Sequence, residues 1–324
     1  MPWTPSNLVV KGVEASFHQA MESAPTIWQN HCMTLPATTE VMPYAFPGFV
    51  PAPRQFISGR QFQSILDFTF NVTNQEYELS FSIPRKYYED DQTGLINARI
   101  NEAAEVWATF KDYLFCQMLV NGGTSGYTGW DGTTFYSTSR TIGSSGTIDN
   151  DDTSVAAAGD ATPTTTELLD AMTAVIVKLQ TFLDDTGRPF NAVASQRLRA
   201  IGNPTFRRAF TESTSQTTIA TTAPIATTPT YGATTADNAW GRGLFDWDVS
   251  PYLTVGSTTQ LMYVNAVGSQ RMPFIYQPRT PLEIVVNTSA EDVAKNNAIE
   301  VYCRERFVFA YGEPRRSLRY TFTT

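Results

Sequence analysis

The sequence contains few of the residues on which catalytic and metal sites are built, with three cysteines and two histidines among 324 residues. The cysteines, Cys32, Cys116 and Cys303, are odd in number, lie far apart and form no CxxC pair. This pattern argues against a disulfide framework and a thiolate zinc site, so buried thiols of a reducing cytoplasm are expected. His18 and His31 have no further ligand at a useful spacing, so no metal site is expected either.

Positive charge and long apolar runs are scarce as well. The chain has 23 Lys and Arg against 31 Asp and Glu, which gives a formal net charge of -8. Because nucleic-acid affinity comes largely from clustered basic residues, any contact with DNA is expected to be weak and non-specific. The sequence has no run of about 18 uncharged apolar residues, and its N-terminus lacks the regions of a signal peptide, so neither a membrane span nor secretion is expected.

Motifs of catalysis and ligand binding are missing too. Asp90-Asp91 and Asp184-Asp185 are paired carboxylates, but each pair lies at a predicted helix end, where carboxylates cap helices or face water. The run 149–152 has the composition of a calcium loop without its spacing or its closing glutamate. No glycine-rich phosphate-binding motif and no nucleophile elbow is present. The sequence therefore predicts a structural protein without catalytic residues, cofactor or metal.

What the sequence does contain is apolar and aromatic residues, 42% and 12% of the chain, enough for a large core in two or more compact units. Residues 1–52 end within the proline-rich stretch 44–53. Prolines at that density favour extended backbone, so residues 1–52 are expected to form an arm that lies across another structural element.

The clearest β pattern follows this arm. Apolar residues alternate with polar ones from Leu66 to Val72 and again from Tyr77 to Ile83, on either side of Asn74-Gln75. Two strands of period two around a short polar turn predict a long β-hairpin, so residues 53–84 are interpreted as an extended loop. Because a lone hairpin is marginal in water, its apolar face is expected to be covered by its own domain or by another subunit.

A long helix is predicted over residues 93–120. Apolar residues recur there every three or four positions, with Thr93 as the N-cap and Asn121-Gly122-Gly123 as the stop. At about 1.5 Å per residue this helix would be roughly 40 Å long. The residues expected to form its buried stripe are Ile100, Trp107, Phe110 and Leu114.

The rest of the chain mixes helices and strands without a βαβ period or an internal repeat, which predicts an α+β fold. One helix is expected between a threonine cap at 164–166 and residue 184, and a short one from Asn203-Pro204. The Thr/Ala/Ser-rich tract 211–238 is expected to be an extended loop. Strands are expected at 133–136, 243–247, 260–264, 274–277, 282–286, 300–311 and 317–322.

This order of arm, hairpin, long helix, mixed domain and return to β-structure resembles the tailed-phage capsid fold, the Hong Kong 97 type. Several stretches are similar to the major head subunit of Mu-like phages, and their order and spacing carry the resemblance jointly. They are Phe-Ser-Ile-Pro-Arg at 81–85 with Glu-Asp-Asp at 89–91 and Gly94, Trp-Asp-Gly at 130–132 with Phe-Tyr at 135–136, Asp-Thr-Gly-Arg-Pro at 185–189, Pro-Phe-Ile-Tyr-Gln at 273–277 with Pro-Leu-Glu at 281–283, and Phe-Ala-Tyr-Gly at 309–312. The segment 190–207 is shorter than is usual in that family, and the Thr/Ala tract is unusual for it.

The resemblance implies a division of the chain into five parts. These are an N-terminal arm (1–52), an extended loop (53–84), a peripheral domain with the spine helix (85–160, helix 93–120), an axial domain (161–280), and a return to the peripheral domain (281–324). In such a fold the extended loop contacts neighbouring subunits. The residues expected to make these contacts are Phe68, Phe70, Tyr77 and Phe81.

The function that the resemblance implies is that of a major capsid protein, which assembles as hexamers and pentamers into an icosahedral shell around phage double-stranded DNA. Its partners would be copies of itself, a separate scaffolding protein, a decoration protein and a portal, with assembly in the host cytoplasm and a place in the virion. Two alternatives remain open at this point. One is an encapsulin-like shell that encloses protein cargo, and the other is a β-rich adhesin, suggested only by the Thr/Ser-rich tract.

Covalent joining of subunits is not expected. Some relatives of this fold link an extended-loop lysine to an asparagine of a neighbour, but residues 53–84 contain Arg54 and Arg60 and no lysine. Arginine cannot supply the deprotonated amine that amide formation needs. Because only about 50 residues precede the hairpin, proteolytic removal of a fused scaffold is not expected either.

Overall fold

The computed structural model describes residues 7–47, 67–84, 86–87, 95–152, 162–190, 197–215, 218–221, 234–237, 245–253, 259–268, 271–287, 289, 291 and 295–323. The helices of more than two turns in these ranges are α1 (Asn7–Ser23), α2 (Leu95–Asn121), α3 (Thr165–Thr181) and α4 (Arg207–Ser215). The strands are β1 (Cys32–Thr34), β2 (Val41–Pro47), β3 (Asp67–Thr73), β4 (Gln75–Pro84), β5 (Arg140–Thr141), β6 (Thr147–Ile148), β7 (Asp151–Asp152), β8 (Arg197–Gly202), β9 (Thr218–Thr221), β10 (Thr234–Asp237), β11 (Phe245–Val249), β12 (Thr259–Val267), β13 (Phe274–Val286), β14 (Ala298–Tyr311) and β15 (Ser317–Thr323). This mixture confirms the α+β class.

Two of the helices follow directly from sequence signals. The long helix predicted over 93–120 corresponds to α2, although the predicted cap Thr93 lies outside the described residues. Helix α3 begins with a capping box, in which Thr164 Oγ1 accepts from the Glu167 backbone N–H and Glu167 Oε2 accepts from the Thr164 backbone N–H. This pairing satisfies two backbone donors that the helix itself cannot, and it selects one of the three threonines as the cap.

A four-stranded sheet with the order β1-β13-β14-β4 forms the base for α1 and α2. β1 runs parallel to β13, and the other pairs are antiparallel. The helices bury their apolar sides against one face of this sheet, because alternate strand residues on that face are apolar. The buried cluster between them contains Val13, Phe17, Ile100, Ala104, Trp107, Val286, Ile299, Val301 and Cys303.

A five-stranded sheet with the order β11-β8-β12-β15-β7 packs against α3 and α4. Its strand β15 lies between β12, which is antiparallel to it, and β7, which is parallel to it. The expected assignment of residues 281–324 to one unit is therefore corrected, because the chain leaves the first sheet after β14. The buried residues of this core include Leu168, Met172, Val175, Phe206, Phe210, Val264, Leu318, Tyr320 and Phe322.

The expected hairpin between residues 66–72 and 77–83 is wrong, although both stretches contain strands. β3 pairs antiparallel with β2, from Val41 opposite Thr73 to Pro47 opposite Asp67, while β4 pairs with β14. Strand alternation identifies which face of a strand is apolar, but it carries no information on the partner strand. The boundary expected at residue 52 is corrected too, since β2 and β3 together form one two-stranded unit, called here the β2–β3 ribbon.

Other differences concern weaker signals. Residues 133–136 form no strand beyond an isolated bridge between Thr128 and Thr134. Helix α1 and strand β8 were not expected, although α1 carries apolar residues at four-residue spacing, Val13, Phe17 and Met21, so the signal for this helix was present in the sequence. In the Thr/Ala/Ser-rich tract, α4 continues to Ser215 and β9 pairs antiparallel with β10, so the described part is not the extended loop that was expected.

Candidate assembly elements

Helix α2 is fixed to the first sheet by a buried polar group as well as by apolar packing. Trp107 Nε1 donates to Glu305 Oε2 at 3.0 Å, and Lys111 Nζ donates to Glu305 Oε1 at 2.7 Å. The Tyr276 hydroxyl also donates to this carboxylate, at 3.2 Å. Burial and the neighbouring Glu305 carboxylate raise the pKa of Tyr276, so this hydroxyl stays a donor. Glu305 is thus a buried charge with a full set of partners, which is the condition for tolerating it.

The residues expected along the buried stripe of α2 differ in their burial. Ile100 is fully buried and Trp107 is 3% exposed, whereas Phe110 and Leu114 are only half-buried. The Phe110 ring lies 5.4 Å from the ring of Tyr77 in an edge contact. A second stripe, which the sequence pattern does not separate from the first, is also buried: Ala104, Ala108, Phe115, Cys116 and Leu119. The helix is therefore covered on a broad face by the chain itself.

Three of the residues expected to contact a neighbour pack at least partly within their own chain. Tyr77 and Phe81 are half-buried against the cluster under α2, and the Tyr77 ring lies 4.7 Å from that of Phe307. Phe70 is half-buried against the core of the second sheet. Tyr77 and Phe81 belong to β4, the edge strand of the first sheet, and not to a loop. Phe68 lies opposite Phe46 in the β2–β3 ribbon, and its side chain is outside the described residues.

The root of the β2–β3 ribbon is held by a buried amide network. Asn74 donates from Nδ2 to the backbone carbonyl oxygens of Thr39 and Glu40, at 3.1 and 3.2 Å, and its Oδ1 accepts from Gln277 Nε2 at 2.8 Å. The Tyr44 hydroxyl donates to Gln277 Oε1 at 2.6 Å. Burial raises the pKa of Tyr44 to about 12. Asn74, the single residue between β3 and β4, therefore directs these two strands into different sheets.

On another side of α2, a row of apolar residues is open to solvent. Val106 is 61% exposed and Tyr113 is 40% exposed, and with half-buried Phe110 they follow helical spacing along one side of the helix. The Phe110 and Tyr113 rings stack at 6.2 Å, and Tyr252 meets Tyr113 edge-on at 5.8 Å. This group of Val106, Phe110, Tyr113 and Tyr252 is called here the α2 outer stripe, and among the described residues Val106 and Tyr113 remain largely exposed. Contiguous exposed apolar groups of this kind mark interaction surfaces.

A hydrogen-bonded chain joins the segment before β1 to the five-stranded sheet. Fully buried His31 is hydrogen-bonded through Nε2 to Asp248 Oδ2 at 3.0 Å, and its Nδ1 accepts from Asn265 Nδ2 at 2.9 Å. Asn265 Oδ1 accepts from the Ser317 hydroxyl, which fixes the amide orientation and places the imidazole proton on Nε2. Burial lowers the pKa of His31, against the opposing effect of the Asp248 carboxylate. A neutral histidine suits this position, since its acceptor nitrogen faces an amide donor.

Asp184 and the run 149–152, considered for catalysis and calcium, have structural partners, whereas Asp90-Asp91 lies outside the described residues. Asp184 Oδ1 accepts from the backbone N–H of Thr186 and of Arg188, at 2.8 and 2.9 Å, in a turn where Gly187 has a φ of 82°. Lys178 Nζ lies 2.7 Å from Asp149 Oδ2 and 2.9 Å from Asp152 Oδ2. No group of three or more metal-ligating side chains occurs in the described ranges. The same ranges contain no helix that is long and apolar enough to cross a membrane.

Similarity to known proteins agrees with this architecture. The chain is similar in structure to the capsid of the cyanophage P-SCSP1u, with a TM-score of 0.58 and 10% identity over 93% of this chain and 89% of that one. For the capsid of bacteriophage JBD30 the TM-score is 0.50, with 12% identity over 94% of this chain and 67% of that one. For a virus-like particle from Pyrococcus furiosus the TM-score is 0.54, with 5% identity over 97% of this chain and 98% of that one.

Sequence similarity is confined to the family level. No curated protein sequence matches the chain significantly. Residues 7–178, just over half of the chain, match the family described as the Mu-like prophage major head subunit gpT. These residues include α1, the β2–β3 ribbon, α2 and most of α3. The chain therefore belongs to the Mu-like prophage major head subunit family, and it is a major capsid protein of the Hong Kong 97-type fold.

Proposed function

We propose that this capsid protein assembles with copies of itself, as hexamers and pentamers, into an icosahedral shell around double-stranded DNA. The observation that carries the proposal is the two-sided character of α2. One side is buried in the chain's own core, while the α2 outer stripe of Val106, Phe110, Tyr113 and Tyr252 is apolar and open. A helix already anchored on one side needs a second apolar side only if another molecule covers it.

A further exposed apolar pair lies on the open face of the first sheet. Val285 of β13 and Tyr302 of β14 are directly opposite each other, and they are 56% and 41% exposed. The surrounding side chains on this face are polar, with Arg304 Nε 2.6 Å from Glu76 Oε1. A small apolar centre with a charged rim is typical of protein interfaces. Two separate surfaces support contacts with more than one neighbour, as a closed shell requires.

The proposal also assigns the secondary-structure elements to structural units of the capsid fold. The peripheral unit comprises α1, α2 and the four-stranded sheet, and the axial unit comprises α3, α4 and the five-stranded sheet. The β2–β3 ribbon, continued through residues 48–66, is the element that reaches a neighbour, with Phe68 among its contact residues. The net charge of -8 supports a shell wall that holds DNA without binding it tightly.

The proposed partners follow from the same role. A separate scaffolding protein, a portal and a decoration protein would act with the shell, which would assemble in the host cytoplasm and remain in the virion. The protein would act without catalysis. An encapsulin-like compartment has the same fold, so the content of purified particles distinguishes the two functions: DNA supports the phage capsid, and a defined protein cargo without DNA would contradict it.

The α2 outer stripe gives the most direct test. The double variant Val106→Ser with Tyr113→Ser is expected to yield folded subunits that form no shells, because both side chains are exposed in the isolated chain and carry little of its stability. Electron microscopy measures shells, and thermal unfolding of dissociated subunits measures the fold. Val177→Ser, which changes an exposed valine of α3, is the control and should assemble. Normal shells from the double variant would contradict the proposed role of the stripe.

A further inference from the structure

Two consecutive arginines follow β14 in a single turn, Pro314–Arg316, and both lie over the ring of Phe190. The guanidinium carbon of Arg315 is 4.0 Å from the ring centroid, and that of Arg316 is 5.2 Å from it. Arg315 is 1% exposed and forms a bidentate pair with Glu313, with Nε to Oε1 at 2.7 Å and Nη2 to Oε2 at 3.1 Å. Both oxygens of the Glu313 carboxylate are thus occupied by Arg315.

Arg316 is left without a comparable partner. Its Nε and Nη1 atoms are buried and make no hydrogen bond, and within the described ranges it forms no ion pair. Burial lowers its pKa, and the positive charges of Arg271 and Arg315 act in the same direction against the attraction of Glu313. An arginine keeps its proton in proteins, so it cannot relieve this situation by becoming neutral. The Arg316 side chain as a whole is half-buried, and Glu313, whose oxygens Arg315 occupies, acts on it without a direct contact. Among the described residues no carboxylate contacts the Arg316 guanidinium, and an anion in contact would stabilise it.

Two kinds of anion are available to pair with Arg316 in a virion, protein carboxylates and DNA phosphates. A guanidinium binds a carboxylate through charge-assisted N–H···O hydrogen bonds, and Nη2 is the Arg316 nitrogen that is not among its buried, unpaired atoms. The protein itself is rich in carboxylates, with 31 Asp and Glu against 23 Lys and Arg, and a shell places many copies side by side. DNA phosphate is the other abundant anion in a virion, but a wall of net charge -8 repels it. Charge complementarity therefore favours another copy of the same chain.

We propose that Arg316 receives an aspartate or glutamate carboxylate from a neighbouring copy of this chain when subunits assemble. The inference rests on the proposed self-assembly and adds a specific contact to it. The turn of Pro314–Arg316, held by the bidentate Arg315–Glu313 pair and by the Phe190 ring, presents the Arg316 guanidinium in a fixed position before the neighbour arrives. Preorganisation of this kind reduces the side-chain entropy lost on binding.

Zero-length cross-linking tests the contact directly. In the Arg316→Lys variant, a carbodiimide activates a carboxylate, the new amine displaces the activating group, and an amide forms only between groups already in contact. Shells assembled from equal amounts of light and heavy isotope-labelled subunits are cross-linked, digested and analysed by mass spectrometry. Peptides that join position 316 of one isotope form to an acidic residue of the other are expected. Their absence from intact shells, or links from position 316 only to Glu313 of the same chain, would overturn the inference.

A charge-removing pair of variants supplies an independent readout. Arg316→Gln is expected to leave the thermal stability of dissociated subunits unchanged or raised, and to raise the subunit concentration needed for assembly about tenfold, which corresponds to ~1.4 kcal/mol. Arg208→Gln removes the same charge from a side chain that is 84% exposed, and it should assemble as wild type. Assembly of Arg316→Gln at wild-type concentrations would overturn the inference.

Two further outcomes have clear meanings. Normal empty shells from Arg316→Gln that fail to retain DNA would assign the site to phosphate and would also overturn the inference. Wild-type subunits that form no particles under any condition would contradict the proposed function itself. The failure of the specific contact is therefore distinguishable from the failure of self-assembly.

Discussion

Trp107 in α2 donates a hydrogen bond through its indole nitrogen to the Glu305 carboxylate of β14, 198 residues later in the chain. The same carboxylate accepts from Lys111, one helical turn further along α2. Two donors on one side of a helix that converge on a single strand residue fix both the rotation and the axial position of the helix. Apolar packing alone would tolerate small displacements of α2 along the sheet, whereas this arrangement does not.

Replacing Trp107 should therefore have a graded effect on stability. Trp107→Ala is expected to lower the free energy of unfolding by about 3–5 kcal/mol, because it opens a cavity and removes a donor from a buried carboxylate. Trp107→Phe should cost less, about 1–3 kcal/mol, because most of the volume remains. Urea unfolding of dissociated subunits measures both, with exposed Val106→Ala as the control. Equal stability of Trp107→Ala and wild type would show that the indole does not contribute to the core.

The buried His31 predicts a specific loss of stability in mild acid. In the unfolded chain histidine titrates near its ordinary pKa of 6.5, whereas burial lowers the pKa of His31 in the folded chain. A base with a depressed folded pKa binds protons first in the unfolded state, so stability falls as the pH drops below about 6.5 and levels off once the folded state is protonated. Unfolding midpoints of dissociated subunits measured from neutral pH to about pH 5 test this.

Two variants isolate the contribution of His31. His31→Gln should flatten this part of the pH profile, and it should lower stability at neutral pH because the Asp248 and Asn265 contacts change. His18→Gln, which replaces the exposed histidine of α1, should retain the wild-type slope. An unchanged slope in His31→Gln would show that another group is responsible. Arg199, which donates from Nε to Asp248 Oδ2 at 2.5 Å, keeps that carboxylate paired throughout the tested range.

The amide of Asn74 should control the base of the β2–β3 ribbon. Asn74→Ala removes donors to two backbone carbonyls and an acceptor for Gln277, so a loss of about 1–3 kcal/mol is expected for the buried groups left without partners. Hydrogen exchange of the β2 and β3 amides should accelerate more than that of β14. Exposed Asn71→Ala, in the same strand, is the matched control. Uniform acceleration across all three strands would point to a global effect and not to the root of the ribbon.

Mature particles are expected to contain no covalent links between subunits. β2 pairs with β3, and the sequence from the start of β2 to the end of β3, residues 41–73, contains Arg54 and Arg60 but no lysine. The three cysteines are all buried, which argues against disulfide links as well. Particles boiled in detergent with reducing agent should therefore release single chains. A ladder of covalent oligomers under those conditions would contradict this expectation.

Local patterns identified much of this fold. The apolar period located α2, and the threonines at 164–166 located the start of α3, because both features depend on neighbours within one or two turns. Alternation located β3 and β4 in the same way. Family-level stretches such as Asp-Thr-Gly-Arg-Pro supplied the order of the parts, and the fold class follows from them.

The parts of the fold and of the candidate assembly surfaces that the sequence did not predict depend on contacts between residues far apart in the chain. Asn74 is a residue type that is common in hairpin turns. Its side-chain amide is nevertheless hydrogen-bonded to Thr39, Glu40 and Gln277, which lie 34 to 203 residues away in the sequence. The open side of α2 was not predicted, because Val106 and Tyr113 each lie one position before a residue of the predicted buried stripe, and spacing alone does not distinguish two adjacent apolar stripes. The pairing of Arg315 with Glu313, which leaves Arg316 without a carboxylate, depends on side-chain directions that no spacing rule supplies.

The position of β15 between β12 and β7 has a consequence for synthesis. Arg319 of β15 holds Asp151 of β7 at 2.7 Å, although 168 residues separate them. At a translation rate of about 5–20 residues per second, roughly 10–30 s pass between the synthesis of β7 and that of its partner strand β15. The nascent chain therefore completes its second sheet only after residues 317–323 have left the ribosome. Chains that terminate before residue 317 lack β15, the strand that joins β12 to β7 in this sheet.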